Sequence, residues 1–159
     1  MAQFSAGTKA TFTPTASATE LRSGTLTMLT VGNIAKVKLI NWGGRGTSLV
    51  GYLTRWSRST TAATGAPTNE AITSSSPAIT PVATFPVVYA TTFPINAADT
   101  YLFRQPWNVQ GGGGVVVLPI GGEWFVTGGA LSTVYNQIGC GNDAGADANL
   151  SGYGMAWEE

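Results

Sequence analysis

The chain has 159 residues, 43% of them hydrophobic and only 10% charged, with eight basic residues, eight acidic residues and no histidine. That length suits one domain with a real core, no apolar run approaches the roughly 20 residues that cross a bilayer, and no Lys/Arg cluster is dense enough for direct nucleic-acid binding. The missing histidine removes the Ser-His-Asp and Cys-His nucleophile systems and the usual zinc sites, so a role without catalysis or cofactors is expected.

Residues 1–20 read as an extended arm, with Phe4 and Phe12 as its apolar anchors. Residues 1–7 lack the basic and then apolar character of a signal peptide, so secretion by that route is not expected. Residues 25–31 alternate polar and apolar up to the turn residues Gly32 and Asn33, and residues 35–40 alternate again, which predicts a hairpin. After the turn at 43–46, residues 49–58 predict a third strand, with Val50, Tyr52, Thr54 and Trp56 on one face and Leu49, Gly51, Leu53 and Arg55 on the other. Trp56 then belongs to the core.

The stretch 59–81, rich in Ser, Thr, Ala and Pro, predicts an exposed loop. Strand signals return at 82–92, broken by Pro86, at 100–104, and strongly at 115–118 and 123–127. Prolines 81, 86, 94, 106 and 119 mark strand boundaries or sheet edges, because proline cannot donate to a ladder. Residues 132–137 and 153–157 supply closing strands. About eight short strands with Gly/Pro punctuation and no helical periodicity predict one all-β domain over residues 1–159, a jelly-roll-like β-sandwich with an N-terminal arm and long loops.

So little charge leaves Thr, Ser, Ala and Gly to cover the surface. Such a surface repels its own copies weakly, which favours burial of much of it in an assembly. Seven basic residues and one acid precede residue 60, a balance of +6, and the remainder carries the compensating −6. A split of this kind can mark complementary faces. The single cysteine, Cys140, permits no intrachain disulfide and reads as a small buried hydrophobe.

Three candidate sites invite chemistry. Glu70, Asp99 and Glu123 are the carboxylates a glycosidase would need, but they form no motif and read as surface groups. In the loop 141–149, Asp143 and Asp147 would be the residues to hold a cation. The glycine position and the lack of a following bidentate Glu favour a plain Asx-turn loop and no resident metal. Glycines 111–114 open a strand where a phosphate loop would open a helix, so they read as a flexible turn or a place of close backbone approach. Five tryptophans and five tyrosines keep a glycan-binding module in view. As protein anchors, Trp107 in a turn-rich stretch and Trp157 near the C-terminus are the interface candidates.

Residues 1–19, residues 54–61 (TRWSRSTT), residues 103–114 (FRQPWNVQGGGG) and residues 152–159 (GYGMAWEE) together resemble small structural proteins of tailed bacteriophages, and among them the capsid decoration, or cement, proteins. The resemblance implies a protein made in the host cytoplasm that binds the outside of the capsid and bridges major capsid protein subunits, often as a homotrimer. It places Arg55, Arg58 and Arg104 beside Phe4, Phe12, Trp107 and Trp157 as interface candidates. Alternatives are a tail, fibre or shell component, or a glycan-binding β-sandwich.

Overall fold

Alternating β-branched and aromatic residues can hide their apolar side chains only as strands whose inner faces meet across a core. The structure, a computed structural model, describes residues 1–8, 21–44, 51–58, 68–76, 78–87, 100–108, 110, 112–129, 137–142 and 151–159. Within them lie β1 (Gln3–Gly7), β2 (Leu21–Thr27), β3 (Ile34–Gly44), β4 (Gly51–Arg58), β5 (Thr68–Asn69), β6 (Thr73–Ser74), β7 (Pro86–Val87), β8 (Thr100–Asn108), β9 (Gly113–Val117), β10 (Trp124–Thr127), β11 (Gln137–Asn142) and β12 (Ser151–Glu158). There is no helix among the described residues.

Two antiparallel sheets pack face to face. The first has the order β10-β3-β12-β1-β6, with β9 lying end to end with β10 along the same flank of β3. The second has the order β5-β7-β2-β11-β4-β8. Setting aside the two-residue strands, the chain changes sheet at β1 to β2, β2 to β3, β3 to β4, β8 to β9, β10 to β11 and β11 to β12. That is the strand order of a jelly roll.

The crossing from β2 to β3 corrects the expected hairpin. β2 pairs with β11 and β7, whereas β3 pairs with β12, β9 and β10. The turn Thr30–Asn33, closed by the Asn33 amide on the Thr30 carbonyl and by a left-handed Gly32, carries the chain over the core. Alternation reports only that each strand has one apolar face, and that is equally true of neighbours in a sheet and of strands facing each other across a sandwich.

The expected arm is also corrected over residues 3–7, which form β1 between β12 and β6. Residues 9–20, with Phe12, lie outside the described residues. Within the expected loop 59–81 the short strands β5 and β6 attach the chain to both sheets. Of the expected strand 82–92, Pro86 and Val87 form β7 and Thr84 makes an isolated bridge to Thr27. Pro106 sits inside β8, which is an edge strand, where its missing donor breaks no ladder.

The core is aromatic and joins the sheets. Trp56 of β4 meets Tyr153 of β12 edge-on at 6.0 Å, and Trp42 of β3 meets Phe103 of β8 at 5.6 Å. Leu26, Met28, Ile40, Phe85 and Ile138 fill the space between. Trp56 is wholly buried, as its place in the alternation predicts, and so is Cys140, whose thiol donates to the Gly24 carbonyl.

Candidate interaction surface

Bulges reset which side chains share a face. In β8, Arg104 lies opposite Arg55 of β4 and Tyr101 lies opposite Ser57, with Leu102 inserted between the paired positions. Without that extra residue Tyr101 and Arg104, three apart, would point to opposite sides. With it they share the outer face of the second sheet, next to Arg55. The guanidinium carbons stand 4.8 Å (Arg104) and 5.5 Å (Arg55) from the Tyr101 ring centroid. Like charges directly opposite on paired strands repel. The Tyr101 ring lies within cation–π range of both and offsets part of that repulsion.

Tyr101 and Arg104 are exposed, so the patch faces solvent at the edge of the sheet. Guanidinium groups offer planar donors that match a carboxylate, and the phenol ring adds apolar contact area. This arrangement suits recognition of an acidic protein surface.

A second bulge shapes the outer face of the other sheet. The register of β3 against β12 shifts between Leu39 opposite Ala156 and Val37 opposite Trp157, which leaves Lys38 as the extra residue. Its ammonium group reaches Glu123, just before β10, at 2.8 Å and Glu158 of β12 at 3.4 Å. Along the same face small residues of β12, Gly152, Gly154 and Ala156, floor an open groove of about 960 Å³ rimmed by Ser5, Asn41 and Thr73. Gly154 keeps that floor low, since a Cβ there would displace the Asn41 side-chain oxygen and stand 3.3 Å from the Ala6 carbonyl oxygen.

The other interface candidates fall elsewhere. Phe4 and Trp157 are buried and stack at 6.1 Å in the core, on the paired strands β1 and β12, because both side chains point to the inner face. Arg58 donates to the Phe125 carbonyl of β10 at 2.6 Å and so ties the second sheet to the first. Trp107 is half-buried against the core, and its indole N–H donates to Thr54 Oγ1. Asp143 and Asp147 lie outside the described residues, as does Asp99. Among the described residues no group of three or more His, Cys, Asp or Glu stands close enough to hold a metal ion. Glu123 is engaged by Lys38 and by the Gly121 amide, and Glu70 is buried.

Within the run 111–114, glycines 112–114 are a place of close approach, as one reading of them expects, and Gly111 lies outside the described residues. A Cβ on Gly114 would stand 2.5 Å from the Trp42 ring, and one on Gly113 would stand 2.8 Å from the Trp42 carbonyl. The part of the surface that sequence reasoning missed is Tyr101, since no local pattern announces the Leu102 bulge that turns it to the arginines. Comparison with known protein families, curated proteins and solved structures finds no match to this chain.

Proposed function

We propose that this chain is a structural virion protein that binds the outside of a phage capsid and stabilises it by bridging major capsid protein subunits, acting through binding energy alone. The observation that carries the reading is the Arg55–Tyr101–Arg104 patch at the edge of a jelly roll. Arg and Tyr are the residue types that dominate binding energy at protein contacts. Here Tyr101 and Arg104 stand exposed on a chain that is otherwise poor in charge. An acidic side chain of a shell protein would answer the exposed Arg104 guanidinium group.

The test is cosedimentation of the purified chain with shells assembled from the major capsid protein of the phage that carries it. The chain is expected to pellet with shells, and Arg104→Ala to weaken that binding roughly ten-fold or more, the scale of one lost hot-spot contact. A chain that stays in the supernatant at every shell concentration would sink the proposal.

The groove over β12 favours a second reading, a glycan-binding module, since Ser5, Asn41 and Thr73 offer hydroxyl and amide partners around an open floor. That reading expects saturable binding to a polysaccharide panel, reduced in Asn41→Ala. Silence across the panel removes it.

A further inference from the structure

Every sheet edge presents unpaired backbone groups that can template another strand, and proteins usually blunt such edges. Here β5 and β6 are only two residues long. The edge strand β8 carries the exposed Arg104 and Pro106. At β10 the Phe125 carbonyl is taken by Arg58. β9 has none of these devices. Its sequence is Gly-Gly-Val-Val-Val, and residues 105–122 around it contain no charged side chain. Val115 and Val117 are 62% and 69% exposed.

The direction of its amide groups follows from one bond. The Leu118 amide donates to the Lys38 carbonyl, so the even-numbered residues of this segment turn their N–H and C=O groups to β3. Gly113, Val115 and Val117 therefore turn theirs to the outer flank, where no strand pairs with them among the described residues.

We infer that β9 pairs antiparallel with β9 of a second copy of this chain, about a two-fold axis at Val115. In that register Val115 faces its own copy and Gly113 faces the partner's Val117, so each outward amide and carbonyl of these three residues finds a partner. Val117 of one chain covers the bare backbone at Gly113 of the other. A two-fold contact brings each residue near its own copy, so a charged edge would repel itself, while this uncharged one does not. The first sheet then runs on through both molecules. The contact is independent of the capsid reading, and it is two-fold where the decoration-protein resemblance implies three.

The test is the solution mass of the full chain by light scattering, with Val115→Lys and Val115→Pro beside the unmodified protein. The lysine sets like charges face to face. The proline removes an N–H that points away from β3, so the fold keeps its ladder. The unmodified chain is expected at twice the monomer mass, and both variants at the monomer mass with unchanged far-UV circular dichroism. Backbone amides of Val115 and Val117 are expected to exchange slowly in the unmodified protein and fast in Val115→Lys. Monomer mass for the unmodified chain, or a folded variant that keeps the larger mass, overturns the inference. Shell binding in the cosedimentation assay has no part in either outcome.

Discussion

Lys38 Nζ lies 2.8 Å from Glu123 Oε1, across the gap where β9 ends and β10 begins. Lys38 is the bulged residue of β3, and Glu123 also accepts the Gly121 amide, so the ion pair holds the loop between β9 and β10 to the centre of the first sheet. The Lys38 hydrogen bond, helped by backbone N–H groups, lowers the Glu123 carboxyl from its ordinary 4.5 to about 2. The same bond raises the Lys38 ammonium above its ordinary value, against desolvation.

The pH dependence follows from the direction of these shifts. Between pH 4.5 and about 2 the unfolded chain binds a proton at Glu123 that the folded chain does not, so the stabilisation is present above that window and lost as pH falls through it. For Lys38 the contribution is present below its ordinary value and lost as pH rises past its raised one. Urea midpoints measured against pH should show Glu123→Gln less stable than the unmodified chain at neutral pH, with the two curves converging toward pH 2. Curves that stay parallel would rule out this pair as the cause.

Trp56 joins the sheets through Tyr153 and is fully buried, so Trp56→Ala leaves a large cavity. A loss of about 3–5 kcal/mol is expected in denaturant unfolding. Trp107→Ala, at a half-buried position, should cost less. Equal losses at the two sites would mean that Trp56 does not carry the core.

Gly114 lies against the Trp42 ring, 2.5 Å from where a Cβ would sit, and Trp42 is locked between β9 and Phe103. Gly114→Ala should therefore destabilise by about 1–3 kcal/mol through overpacking. Gly43→Ala is the control, since a Cβ there meets nothing within 4 Å. Thermal midpoints of the two variants should separate clearly, and matching midpoints would show that Trp42 can yield.

The Cys140 thiol is buried and bonded to the Gly24 carbonyl. A thiol reagent should find it unreactive in the native protein and fully reactive after unfolding, because the thiolate needs access to attack. Rapid labelling under native conditions would show that β11 opens readily from β2.

Much of the strand content was legible because periodicity two is a local property. Thr54 and Trp56 are buried and Arg55 points outward, as their alternation in residues 49–58 predicts. The proline rule found an edge at Pro106. What misled was adjacency, since β2 and β3 follow each other across a short turn and yet belong to different sheets. Phe4 and Trp157 were equally opaque. An aromatic residue near either end of a chain reads as an anchor for a partner, until β1 and β12 pair and both side chains turn inward.

By itself, then, the sequence determined an all-β chain, the faces of several strands, a buried Trp56 and Cys140, and a surface with little charge. These follow from alternation and composition, which act within a few residues. The tertiary structure alone decided which strands share a sheet, that the Tyr101 ring meets both Arg55 and Arg104, and that β9 is an edge with no strand on its outer flank among the described residues. Each of these depends on which distant strands pair and where a bulge inserts one residue, and backbone hydrogen bonding between remote segments leaves no periodic trace in the chain.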